Sequence, residues 1–99
     1  MASIQVKLSV NDRPIQLDFF VQEFVDRTIS GMLTALKGTC EIKDLQIHAD
    51  AEQLSINLNN ELVPTNPFVT KIFRNTVFGM VSPLKGVGDI ANVDITIKK

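Results

Sequence analysis

The sequence predicts an α+β domain with the element order β-α-β-β-α-β, and three observations support this class. Residues 20–38 return as residues 68–86, at an offset of 48 and without a gap. The similarity extends over two units, about 3–50 and 51–98, and the apolar pattern is kept between them. Each unit places one stretch of helical periodicity between stretches that alternate like strands. Because solenoids generally need three or more units, two units predict one pseudo-symmetric domain over residues 1–99.

The first unit opens with a predicted half-buried strand, in which apolar residues alternate with polar ones from Ile4 to Val10. A turn follows, and Ile15 with Leu17 predicts a short return strand that forms a small hairpin arm. Asp18 is the expected N-cap of a helix over residues 19–37, since its carboxylate can accept bonds from the free amides of the first turn. Gly38 is the expected left-handed C-cap. A second alternating strand begins near residue 44.

The second unit follows the same plan. A strand with Leu54, Ile56 and Leu58 pointing inward is followed by a turn and a second short arm. Asn66 is the expected N-cap of the second helix, with Pro67 at the first helical position, where its missing amide costs nothing. Pro83 predicts that this helix ends near residues 81–82. The final strand alternates through residues 93–98.

Both helices carry a predicted core stripe at helical spacing. In the first helix it consists of Val21, Phe24, Val25, Thr28, Ile29, Met32 and Leu36, with Leu33 at its edge. The second helix repeats these positions. Gly31 and Gly79 lie beside the stripes in mid-helix, where glycine costs ~1 kcal/mol against alanine. We expect close packing to compensate, and a ligand notch at these glycines is the functional alternative.

Each unit has one apolar sheet face, so both helices should cover the same face. Interleaving two such units gives a ferredoxin-like two-layer sandwich built from two tandem 48-residue repeats, with hairpin arms before each helix. Counting only the four long strands, the expected order in the sheet is 4-1-3-2. A domain-swapped or intertwined dimer made from the same units is the alternative.

Composition excludes several classes of function. The apolar fraction is 44% and the net charge is −1, typical of a soluble globular chain. A single cysteine allows no internal disulfide and favours the reducing cytoplasm. No membrane span and no signal peptide are expected. The absence of Tyr, Trp and a basic cluster argues against nucleic-acid binding, and no motif calls for a cofactor or a metal.

Three residues could carry chemistry. His48 and Asp50 lie two apart on one strand and should share its wet face, as an acid–base pair or part of a metal site. Cys40 follows the first helix in a loop without a second cysteine nearby. One histidine and one cysteine make a weak signal, so the expected reading is a solvated strand face and an ordinary thiol.

The exposed helix faces differ where the cores agree. Glu23 and Asp26 in the first helix correspond to Lys71 and Arg74 in the second. Phe78 replaces a serine and lies off the apolar stripe, so we expect an exposed aromatic there. These five residues predict an interface with a protein partner or a second copy of the chain.

The leading functional hypothesis is therefore a small non-enzymatic module for protein interaction or self-association. The first alternative is a small-molecule sensor with a pocket near Gly31, Gly79 or the loops 38–42 and 86–90. The second is an enzyme that uses His48, Asp50 or Cys40.

Overall fold

The computed structural model describes residues 5–38, 41–84 and 86–99. Cys40 lies outside the described residues. The elements in chain order are β1 Gln5–Val10, β2 Arg13–Ile15, α1 Phe19–Lys37, β3 Asp44–Asp50, β4 Leu54–Leu58, β5 Glu61–Leu62, α2 Pro67–Val81 and β6 Asn92–Lys98. Over these residues, the fold is a β-rich α+β structure with one six-stranded antiparallel sheet and two helices.

The helix ends follow the local signals of the sequence, and the predicted caps are confirmed. The Asp18 carboxylate accepts a bond of 2.8 Å from the backbone N–H of Val21. Asn66 caps α2 in the same way, through the N–H of Val69. Gly38 has a φ of 87°, and its N–H donates to the carbonyl of Thr34. Such ends are read from local sequence because a few neighbouring residues satisfy the free backbone groups.

The predicted ferredoxin-like tandem-repeat sandwich is wrong. The observed strand order is β2-β1-β6-β3-β4-β5. Counting only the four long strands, this is 1-4-2-3 instead of 4-1-3-2. Both orders share the neighbours β1–β6 and β3–β4, but the central pair is β3–β6 where the prediction requires β1–β4.

The hairpin arms explain this order. A strand has two edges for hydrogen bonding, and β2 occupies one edge of β1 while β5 occupies one edge of β4. Each of β1 and β4 therefore has one free edge, too few for the central positions that the ferredoxin-like order requires. β3 and β6 have no arms and pair with each other in the centre, with Ile47 opposite Ile95.

The core lies between one face of the sheet and both helices. The side of each helix that is buried differs from the stripe predicted for it. Leu33, expected at the edge of the stripe, is completely buried with Val25 and Ile29. Phe24, expected in the core, is 48% exposed, and Ile72 is 46% exposed. The apolar arc of each helix is thus wider than the part that the core covers, and the excess faces solvent.

Candidate functional site

Two surfaces of the molecule carry candidate functional residues, the open face of the sheet and the outer side of the helices. The open face follows from strand alternation, because side chains next to the buried ones point the other way. In register across the centre of this face lie Asp94 on β6, His48 on β3 and Ser55 on β4. Asp50 lies two residues after His48 on the same face.

His48 is held between two carboxylates. Its Nδ1 donates to Asp94 Oδ1 at 2.6 Å, and its Nε2 lies 3.6 Å from Asp50 Oδ2. The hydrogen bond to Asp94 raises the pKa of His48 above its usual value, and the charges of Asp94 and Asp50 add to this while partial burial opposes it. Asp50 in turn accepts bonds from the backbone N–H groups of Glu52 and Gln53, which lower its pKa, and His48 lowers it further.

The arrangement brings together His48 and Asp50, as their spacing predicts, and adds Asp94. The sequence does not place Asp94 near His48, because in the predicted strand order β3 and β6 are the two opposite edges of the sheet. The signal that could have found it is the pair of hairpin arms, which puts β3 beside β6. With that order, Asp94 falls directly opposite His48.

The open face offers little support for catalysis. Asp94, His48 and Ser55 have the residue types of a nucleophilic triad, but no hydrogen bond joins Ser55 to His48 among the described residues. β3 is paired on both sides, so its amides cannot serve as an oxyanion hole. The depression over these residues is shallow, about 170 Å³. Within the described ranges, no group of three or more His, Cys, Asp or Glu side chains is placed to hold a metal ion.

The predicted interface residues take different positions. Asp26 is 5% exposed and forms an ion pair with Lys99, whose Nζ lies 3.0 Å from Asp26 Oδ1. Asp26 therefore does not lie on an acidic outer face. Arg74 donates to the carbonyl of Ala51 at 2.8 Å and thereby joins α2 to the β3–β4 turn. Phe78 is half-buried and packs against the core, so the expected exposed aromatic is not there.

Glu23 and Lys71 remain available at the helix surface. Glu23 accepts two bonds from the Arg27 guanidinium one turn later, at 3.1 and 2.7 Å. Lys71 is exposed and lines a groove of about 450 Å³ with Phe68, Ile72, Asn75 and Thr76. Of the five predicted interface residues, Lys71 is exposed, whereas Glu23, Arg74 and Phe78 are half-buried and Asp26 is buried.

We call the outer helix face the set of exposed apolar and glycine positions that share one side of each helix; Phe19 is 80% exposed but lies on another side of α1. The outer helix face comprises Phe20, Phe24 and Gly31 of α1 with Phe68, Ile72 and Gly79 of α2. Phe20 and Phe24 stack on each other, with ring centroids 6.1 Å apart and an interplanar angle of 15°. Sequence reasoning assigned Phe24 and Ile72 to the core and so missed this face. The signal that could have found it is the width of the apolar arc.

Gly31 and Gly79 belong to this exposed face. No described atom beyond each helix's own backbone lies within 4 Å of a Cβ placed at either glycine. The expectation that they allow close packing within the chain is therefore wrong. Both glycines leave open space on the outer side, and the ligand notch stays a prediction.

Comparison with known proteins adds no further constraint. The chain matches no protein-family model, and neither curated proteins nor solved structures give a match. In the part of the chain that the structure describes, neither helix combines the length and hydropathy needed to cross a membrane.

Proposed function

We propose that this protein is a non-enzymatic module that self-associates through the outer helix face. The observation that carries the proposal is the exposure of large apolar side chains on both helices. Phe20 is 72% exposed and Phe68 is 71% exposed. Soluble monomers rarely present contiguous apolar patches of more than a few hundred Å², and larger ones mark interaction sites.

The exposed area is of the size that a stable dimer needs. At about 200 Å² for a fully exposed aromatic side chain, the outer helix face presents roughly 450 Å² of apolar surface. A standard interface covers about 800 Å² per partner, a little over half of it apolar. The two quantities are similar, so this face could supply most of the apolar part of one interface.

A second copy of the chain fits this face because the two helices differ in charge. α2 carries Lys71 and Arg74 and no acidic residue, whereas in α1 the two acidic residues Glu23 and Asp26 are balanced by Arg27 and Lys37. Two copies that place α2 beside α1 therefore avoid setting two basic helices against each other. The single cysteine supports the cytoplasm as the proposed compartment.

The test is the mass in solution of the wild type and of the double variant Phe20→Ser/Phe68→Ser. By light scattering across a concentration series, we expect the wild type to exceed its chain mass of 11.0 kDa and the variant to remain at it. Phe19→Ser is the matched control, because Phe19 is 80% exposed but lies about 100° round the helix from Phe20. A wild type that stays monomeric at every concentration would overturn the proposal.

A further inference from the structure

We propose that two copies pair through antiparallel helices, with α1 of one copy on α2 of the other, so that Phe24 packs on the partner's Gly79 and Ile72 packs on the partner's Gly31. This inference rests on the proposed function and adds the arrangement of the interface. It follows from the spacing of bulky and small residues on the outer helix face.

Each helix carries a bulky residue that projects into solvent, Phe24 in α1 and Ile72 in α2. On the same side it carries a glycine that leaves a notch, Gly31 in α1 and Gly79 in α2. Phe24 precedes Gly31 by seven positions, and Ile72 precedes Gly79 by seven positions. Seven residues are close to two turns at about 3.6 residues per turn, so projection and notch lie on one flank, roughly 10 Å apart along the axis. Both projections are about half exposed, and both glycines are exposed.

The equal spacing makes the two helices complementary in the antiparallel direction. When Phe24 lies level with the partner's Gly79, moving seven positions along α1 reaches Gly31, and moving seven positions back along the partner's α2 reaches Ile72. Both projections therefore meet notches in one register. Parallel helices would instead set Phe24 against Ile72 and leave the glycines facing each other across a gap.

This arrangement explains why glycine occupies both mid-helix positions. Mid-helix glycine costs ~1 kcal/mol against alanine, and nothing within the described chain compensates for it. A helix contact at a glycine allows axes to approach to the lower end of the usual range, about 8 Å. The stacked ring of Phe20 supports Phe24 from the preceding turn, which restricts the projection before it binds.

Charge disfavours pairing of α2 with a second α2, and α1 against a second α1 is distinguished by whether Thr28→Cys cross-links to itself. The same spacing would also fit α2 against a second α2, but that pairing sets Lys71 and Arg74 near their own copies, with no acidic residue on either helix. Like charges facing each other across an interface are unfavourable. Pairing α1 with α2 avoids this contact in both halves of a two-fold dimer.

Cross-linking between two single-cysteine variants tests the arrangement. In a chain with Cys40→Ser, the proposed register sets Thr28 level with the partner's Asn75. We expect a short bis-maleimide to join Thr28→Cys to Asn75→Cys when the two variants are mixed, and to join neither variant to itself. Efficient cross-linking of either variant alone would instead show that like helices pair, and would overturn this arrangement.

Filling the notches supplies a second measurement. We expect Gly31→Leu and Gly79→Leu to weaken self-association about fivefold or more, because a leucine side chain at either position overpacks the contact. Circular dichroism should show both variants folded, since the added side chains point into open space. Gln53→Leu adds the same side chain at an exposed site outside the helices and should leave association unchanged.

The outcomes separate the arrangement from the proposed function. If the wild type is monomeric, both the proposed function and the proposed arrangement are wrong. A dimer that is lost in Phe20→Ser/Phe68→Ser but keeps its affinity in Gly31→Leu and Gly79→Leu removes the arrangement alone.

Discussion

At the scale of single residues, two asparagines show how side chains replace missing backbone partners at the turns. Asn59 has a positive φ of 52°, and its Oδ1 accepts from the N–H groups of Lys43 and Asp44 while its Nδ2 donates to the carbonyl of Glu41. Asn11, 48 positions earlier, makes the corresponding bonds to residues 89–92. Asparagine suits these sites because it tolerates the left-handed region and offers both donor and acceptor.

The folded structure changes the pKa of His48. It is the single histidine of the chain, so its titration can be followed without ambiguity. Because the pKa of His48 is raised in the folded state, the protonated form stabilises the fold. That contribution is fully present below the unfolded value near 6.5 and is lost as the pH rises through the folded pKa. The side chain is 44% exposed, so solvent screening keeps the effect small.

We predict that Asp94→Asn lowers the pKa of His48 towards its ordinary value, because it removes the largest cause of the shift. NMR titration of the imidazole ring protons measures this directly. Asp50→Asn is the matched control and should lower the pKa less, since Asp50 lies 3.6 Å from the ring without a short bond. An equal effect of both substitutions would contradict the dominant role of the Asp94 bond.

At the scale of elements, the sequence predicts helix ends well and helix faces poorly. The helix predicted over 19–37 is observed as Phe19–Lys37, because capping depends on residues a few positions apart. The buried side depends on how far the sheet reaches round the helix, which no local pattern contains. Apolar residues outnumber the buried positions, so Phe24 and Leu33 could exchange roles without any change in periodicity.

We predict that Gly31→Ala and Gly79→Ala each stabilise the monomer by about 1 kcal/mol, because both glycines are helical, exposed and free of neighbours. The measurement is urea unfolding at a protein concentration at which association is negligible. Gly38→Ala is the matched control and should destabilise, since Gly38 has a φ of 87°, where a Cβ is strained. Stabilisation by Gly38→Ala would show that the helix ends differently.

At the scale of the whole molecule, the strand order was predictable in principle from features that the sequence does show. The hairpin arms are visible as short apolar pairs after each turn, and each arm uses one edge of the strand before it. The alternation of side chains could not distinguish the predicted strand order from the observed one, because both orders bury the same alternating residues. Counting free edges excludes the ferredoxin-like order and places β3 beside β6, which also brings His48 beside Asp94; it does not determine which of the two strands pairs with β1.

The central pair of strands gives the sharpest test of the fold. With β3 and β6 in the centre, each is bonded on both sides, and the side chains of Ile47 and Ile95 are buried in the core. We predict that their amides exchange with solvent most slowly, and that amides in the arms β2 and β5 exchange fastest. Nuclear Overhauser contacts should join the backbones of β3 and β6. Contacts between β1 and β4 would instead restore the ferredoxin-like order, and with it the separation of His48 from Asp94 to opposite edges of the sheet.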